Sequence, residues 1–327
     1  MIQTRAARAP MPFPADSGFA GRVAGLSERV GPAVEADVAA LVEGRPAEPL
    51  GGSTVPAAVA AELIARHELA SVVELALLAL PVAGAMARPS ISGYRVAAVG
   101  IEAPSGDLVL GANLEFPGAE LTSTIHAEGF VALRARRRSR ALATLVVREA
   151  RPCAFCRQTL AESAAADGLA IVDALGHALA LDNLYPAPFQ PRALGVTGDT
   201  PGRVAWPELA FVATVPRAAI ATTLVEAGSR AHAPYSGTPS AVVLRTADGR
   251  IAAAGCVESV AFNPSITALQ AALVELAAAR IEPSDIEEAW LGCVNGGVVD
   301  PEPGFRALLH AVAPVAGVHV ARWAIAR

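Results

Sequence analysis

Lysine is absent: every one of the 26 basic residues is arginine. Beside a heavy alanine load, 28 Gly and 25 Pro, this fits codon bias in a G+C-rich genome and carries little chemistry. Positive charge is in deficit, 26 basic against 31 acidic residues, for a net charge of −5. Nucleic-acid binders normally carry a basic surplus to neutralise phosphates, so the balance argues against that class. Aromatics make up only 5% of the chain, which gives weight to each one near a candidate site. Cysteine is scarce, four in 327 residues. Two of them, at C-x-x-C spacing, suggest metal or redox use in a reducing compartment more than a disulfide framework.

Long apolar runs are missing too. Met1–Val23 carries Arg5 and Arg8 and no apolar core, so no signal peptide is expected there. The most apolar stretch, Val72–Ala87, holds Glu74 and Pro81, is too short for a bilayer, and reads as a buried helix. A cytoplasmic protein without membrane or nucleic-acid partners is the expectation. One local charge excess, Arg134, Arg136, Arg137, Arg138 and Arg140, reads first as a solvated helix end or loop, with a phosphate or RNA contact as the lesser alternative.

What is present is a repeat. The length fits two domains, and 53% hydrophobic content suffices for packed cores. S-G-Y-R-V-A-A at 92–98, a β-rich segment ending in G-A-N-L-E at 111–115, a helical run from His126, the strand 143–147 and P-C-A-F-C-R-Q-T-L at 152–160 form one copy. Roughly 143 residues later, Ser236–Ala241, A-D-G-R at 247–250, A-G-C-V-E at 254–258, the runs 267–279 and 289–293, and P-E-P-G-F-R-A-L-L at 301–309 form another. A helix precedes each hairpin, at 74–87 and 217–231. Each copy therefore alternates helix, two strands, helix, strand and helix, an α/β pattern of helices layered on a sheet. The proline-bearing stretch Leu184–Arg203 reads as a crossing segment, and the apolar-periodic runs 19–41 and 55–69 as a helical prelude. Carrying the spacing forward places Leu269 and Ala271 opposite His126 and Glu128, and Glu302 and Phe305 opposite Cys153 and Cys156. The second copy thus keeps a fold and loses a chemistry.

That chemistry rests on His126-Ala127-Glu128 followed by Pro152-Cys153-x-x-Cys156. C-x-x-C on the first turn of a helix puts two sulfurs one turn apart on one face, at an end that favours thiolates. An imidazole completes three ligands, which leaves the fourth tetrahedral position of a zinc ion open, as in catalytic sites. Zinc lowers the pKa of a bound water toward about 7, and Glu128, two residues from the ligand, supplies the proton carrier. The arrangement matches the H-x-E…P-C-x-x-C signature of zinc nucleobase deaminases. C-x-x-C alone is often redox-active or half of a structural zinc site. Cys256 and Cys293 do not supply the second pair such a site needs, and a redox pair leaves His126 and Glu128 unexplained.

With Tyr94-x-Val96, Asn113-Leu114-Glu115 and Cys156-Arg157-Gln158 added, the chain resembles cytidine deaminases. Its two-domain length and Leu184-Tyr185-Pro186-x-x-Phe189-x-Pro191 are similar to the homodimeric bacterial type. The resemblance spans roughly residues 70–327. It implies a three-layer α/β/α cytidine deaminase-like sandwich, duplicated as a catalytic and a degenerate copy, with boundaries at 1–70 (helical segment), 71–192 (catalytic), 193–209 (linker) and 210–327 (degenerate). It also implies hydrolysis of cytidine and 2′-deoxycytidine, with one Zn²⁺ per chain on His126, Cys153 and Cys156, water attacking C4, and Glu128 shuttling the proton. Asn113, Leu114, Glu115, Tyr94 and Ala127 would meet the nucleoside, Asn113 and Glu115 at the ribose. Phe189 and the Ala261-Phe262-Asn263 segment would close the pocket across a homodimer interface. The ordinary alternatives are a strand-end turn pair for Asn113 and Glu115 and core packing for Tyr94 and Phe262. Ala97 and Ala154 stand where the family commonly has Gly, and Tyr94 where it has Phe. Rival readings are a deaminase acting on a base, nucleotide or nucleic acid, and a zinc-binding protein without catalysis.

Overall fold

The computed structural model describes residues 15–43, 52–148, 151–163 and 165–326; the expectation about Arg5 and Arg8 lies outside them. Helices α1 (Ser17–Arg29) and α2 (Gly31–Glu43) divide the first apolar run at Val30. Strand β1 (Thr54–Val55), helices α3 (Ala57–Arg66) and α4 (Val72–Ala85), and the hairpin β2 (Ala97–Ala103) and β3 (Leu108–Ala112) follow. Then come α5 (Ala127–Arg137), β4 (Ala141–Val147), α6 (Ala154–Ala161), β5 (Ala170–Asp173), β6 (Ala178–Ala180) and α7 (Leu181–Leu184). The second copy runs β7 (Leu209–Ala213), α8 (Ala218–Ser229), β8 (Ala241–Thr246), β9 (Ile251–Gly255), α9 (Ala268–Ala278), β10 (Ile286–Val294), α10 (Glu302–Val312) and β11 (Gly317–Ile325).

The strands form two sheets, ordered β1-β3-β2-β4-β5-β6 and β7-β11-β10-β8-β9. Both contain the same four-strand unit, β3-β2-β4-β5 and β9-β8-β10-β11, whose last pair is parallel and the others antiparallel. The duplicated α/β architecture expected from the repeat is therefore present. Alternation along β2 builds the layers: Val99 and Ile101 share a core with the buried face of α4, while Gly100 lies against Val131 of α5. Leu75 and Leu108, both fully buried in that core, each contribute roughly 1.5–3 kcal/mol by leaving water.

The N-terminal segment is more than a helical prelude, since β1 pairs antiparallel with β3, Thr54 opposite Val109 and Val55 opposite Leu108. Its two residues protect the edge of the catalytic sheet, which sequence periodicity cannot show for so short a strand.

The arginine run also corrects the expectation of a solvated helix end: Arg134, Arg136 and Arg138 are ion-paired and at least partly buried, and of the five only Arg140 is exposed. Arg134 is 1% exposed and pairs with Glu275 of α9 at 2.5 Å, while also donating to the Gly52 carbonyl at 2.6 Å. Arg136 pairs with Asp199 at 2.7 Å, and Arg138 reaches Glu102 at 3.0 Å and Asp107 at 2.6 Å. Burial pushes the Glu275 carboxyl up, and the arginines at the end of α5 oppose that shift. The run begins where α5 packs on α9 between the two copies: the Arg134 guanidinium meets Glu275 across that interface, Arg136 meets the crossing segment, and Arg138 turns back to the β2–β3 hairpin of its own copy.

The second correction is one of register. Leu114 bridges to Ile125 just before α5, and Val257 bridges to Ile266 just before α9. The connecting loop is two residues shorter in the second copy, so Thr267 stands at the position of His126 and Leu269 at that of Glu128. Neither residue has the imidazole or the carboxylate of its counterpart.

Candidate metal centre and active site

Leu114 fixes the start of α5: its N–H donates to the Ile125 carbonyl at 2.8 Å and its carbonyl accepts from Ile125 N–H at 2.9 Å. His126 is then the N-cap residue, with extended backbone, and its side chain caps nothing. Glu128 lies in the first turn and is 3% exposed. Cys153 is the N-cap of α6, also without a side-chain capping bond, and Cys156 follows one turn later. Two helix N-termini therefore converge. Cys153 Sγ lies 3.5 Å and Cys156 Sγ 3.3 Å from His126 Nδ1, and the sulfurs are 3.6 Å apart.

Those separations test the fit to a metal. Tetrahedral zinc with Zn–S of about 2.3 Å and Zn–N of about 2.0–2.1 Å needs sulfurs about 3.8 Å apart and sulfur–nitrogen distances of about 3.6 Å. The three atoms match that geometry within a few tenths of an ångström, and among the described residues no other His/Cys/Asp/Glu group does so. Glu128 Oε2 lies 3.6 Å from Cys156 Sγ, beside the ligands.

The electrostatics follow from the same contacts. Hydrogen bonds from Cys156 and then His126 pull the Cys153 thiol down to about 3. The bond to Cys153, with burial, pushes Cys156 up. His126 is raised chiefly by its bond to Cys153, with the charges of Glu128 and Glu115 adding to it. Burial raises Glu128 above the usual carboxylate range, the direction required of a group that accepts and returns protons near neutral pH.

A cavity of about 310 Å³ opens over the ligands, a size suited to a small molecule. Leu121, Thr124 and Phe155 line it from the first copy, and Asn263, Ser265 and Gln270 from the second. The second copy therefore builds part of the site within its own chain; of the Ala261-Phe262-Asn263 segment expected to close the pocket across a dimer interface, Asn263 lines this cavity. Among the lining residues that were not expected, sequence offers a signal for Phe155, a large aromatic inside C-x-x-C, which the structure leaves 54% exposed at the cavity.

The remaining expected residues divide. Asn113 and Glu115 clamp the 91–96 loop. Asn113 Oδ1 accepts from Val96 N at 2.9 Å, and its Nδ2 donates to the Tyr94 carbonyl at 3.0 Å and to Glu115 at 3.2 Å. Glu115 also accepts from Ile91 N and Ser92 N, both at 2.8 Å, and from the Ser92 hydroxyl at 2.6 Å. Burial raises its pKa, but these donors, led by Ser92, outweigh it and hold the carboxylate low. Leu114, expected at the substrate, is instead 2% exposed and spends its backbone on Ile125. Ala127 is fully buried under the first turn of α5. Tyr94, Phe189 and Phe262 are 57%, 47% and 63% exposed and do not line this cavity; Tyr94 and Phe189 border separate recesses.

Comparison with known proteins places this geometry. The family described as "Cytidine and deoxycytidylate deaminase zinc-binding region" matches twice, over residues 73–170 and over residues 181–299. Cytidine deaminase from Sodalis glossinidius is 33% identical over 246 residues, 71% of this chain and 78% of its own. That from Shewanella baltica is 32% identical over 247 residues, 76% of this chain and 82% of its own. Among solved structures, cytidine deaminase from Burkholderia pseudomallei aligns with 20% identity and a TM-score of 0.29, covering 34% of this chain and 92% of that one. The first match contains His126, Glu128, Cys153 and Cys156, and the second spans most of the copy that lacks their like. The chain belongs to the cytidine and deoxycytidylate deaminase family of zinc-binding hydrolases.

Proposed function

We propose that this protein hydrolyses cytidine and 2′-deoxycytidine to uridine and 2′-deoxyuridine with release of ammonia, in the cytoplasm and as a homodimer. The observation that carries this reading is one buried carboxylate, Glu128, set 3.6 Å from a sulfur of a His-Cys-Cys donor set under a cavity of nucleoside scale. Bound zinc supplies Lewis acidity that lets a water lose its proton near neutral pH. Glu128 would take that proton and pass it to the ring nitrogen beside C4 as oxygen adds there, then take the remaining proton of the added hydroxyl and give it to the amine, which leaves as ammonia when the carbon–nitrogen bond breaks. Its burial, which raises its proton affinity, suits both halves of the transfer.

Asn113 and Glu115 are assigned to the sugar. The Glu115 oxygens already take four donors, about the full capacity of a carboxylate. The Ser92 hydroxyl, which can rotate away, is the donor a ribose hydroxyl replaces. A site built on such a pair discriminates against analogues that lack the hydroxyl. Tyr94, Phe189 and Phe262, exposed here, are assigned to the pocket wall completed by the partner subunit. The test compares ultraviolet loss of cytidine, 2′-deoxycytidine, cytidine monophosphate, cytosine and a short cytidine-containing oligonucleotide. Turnover is expected for the two nucleosides; activity confined to any of the others overturns the substrate assignment.

A further inference from the structure

Behind the metal ligands lies a buried polar cluster that the chemistry above does not use. Glu162, the C-cap residue of α6, is 2% exposed. Its carboxylate accepts from the Tyr235 hydroxyl at 2.6 Å and from Val260 N at 2.8 Å, and lies 2.8 Å from His232 Nε2. All three partners belong to the second, silent copy. The other ring nitrogen of His232 faces Asp199 at 3.6 Å, in the segment that crosses between copies. Asp199 in turn accepts from Arg136 of α5 at 2.7 Å, and its N–H donates to the Glu162 carbonyl at 2.8 Å. The helix that carries Glu128 and the helix that carries both cysteines therefore end in one network.

The silent copy holds its side of that network with a relic. Tyr235 N and Ser236 N donate to Glu258 at 3.0 and 3.2 Å, and the Ser236 hydroxyl bonds the same carboxylate. Ile91, Ser92 and Glu115 make the same three bonds in the catalytic copy. Thr238 N bonds the Ser236 hydroxyl at 3.0 Å just as Tyr94 N bonds that of Ser92. The cradle that clamps the substrate-side loop in one copy thus presents a tyrosine hydroxyl to Glu162 in the other.

We propose that the silent domain is the positioning element for the metal ligands and that Glu162 is its point of attachment. Helix α6 has eight residues, about 12 Å in length. A tilt of about 5° about its C-terminal end moves the sulfurs by about 1 Å, more than the roughly 0.5 Å that a preorganised site tolerates. The start of the crossing segment holds the middle of the helix: Arg157 donates to the Leu184 carbonyl at 2.5 Å and Gln158 to the Phe189 carbonyl at 2.7 Å. Among the described residues outside α6, the hydrogen-bond partners of Glu162 are Asp199 and residues of the silent domain.

The test reads the metal site directly, with full-length zinc-loaded protein and an excess of chromogenic chelator. Tyr235→Phe removes one donor with little change in packing, and Glu162→Gln replaces the carboxylate with an amide. In both, zinc release is expected to accelerate by about tenfold or more, the scale typical of groups that orient metal ligands. Glu282→Ala cuts the inter-domain pair with Arg88, 2.8 Å in length and remote from α6, and should release zinc at the wild-type rate. A wild-type release rate in either Tyr235→Phe or Glu162→Gln overturns the proposal, whatever happens to the melting temperature. If Glu162→Gln does not fold, Tyr235→Phe decides alone. The readout needs no substrate, so it is independent of the cytidine assignment.

Discussion

His126 occupies a position where a helix normally prefers Ser, Thr, Asp or Asn, and its side chain caps nothing. Its counterpart in the silent copy, Thr267, accepts from Gln270 N at 3.3 Å and forms a full capping box with it. Such a cap stabilises a helix by about 1 kcal/mol, which the catalytic copy forgoes in order to hold a metal ligand. Leu269 at the place of Glu128 completes the contrast, a buried apolar group where the other copy buries a carboxylate. Glu128→Gln should therefore keep zinc in a one-to-one ratio by metal analysis while kcat for cytidine falls about a thousandfold. Cys153→Ala should lose the metal and the activity together. Normal turnover by Glu128→Gln would show that the proton moves by another route.

Helix α5 owes its position to two glycines in the strands beneath it. A methyl group on Gly111 would come 2.6 Å from Val131 and 2.8 Å from the Ala127 carbonyl, backbone that cannot rotate away. Gly111→Ala should therefore lift the first turn of α5, which carries Glu128 and begins at His126. The expected cost is about 2 kcal/mol in urea unfolding, typical of overpacking, together with a fall in kcat. Wild-type stability and turnover in this variant would mean that the strand and helix can separate freely. At this scale much was legible in the sequence. The H-x-E and C-x-x-C spacings are local: one helical turn brings the two cysteines onto one face, and His126 stands at the N-cap immediately before the turn that carries Glu128. The helix–strand alternation of each copy was readable for the same reason. The register between copies was not, because a loop shortened by two residues leaves no trace in a constant spacing.

For the molecule as a whole, the exposed aromatics matter most. In a chain with few aromatics, Phe155 lies at the cavity and Tyr94, Phe189 and Phe262 stay 47–63% exposed elsewhere on the surface, which fits a surface covered by a second copy. Sedimentation should show a dimer, and dilution below its dissociation constant should abolish cytidine turnover; fully active monomers would refute the shared-site reading. The sequence by itself determined the candidate ligand set, the α/β class and the duplication, and it singled out Glu128 as the proposed proton carrier, since each rests on contacts within a few residues or on a repeat along the chain. Only the tertiary structure decided the rest. Arg134 meets Glu275 across 141 positions and Glu162 meets Tyr235 across 73, and nothing in local composition distinguishes these charges from solvated ones. Packing two copies face to face buries them, and a buried charge persists only where the fold delivers its partner.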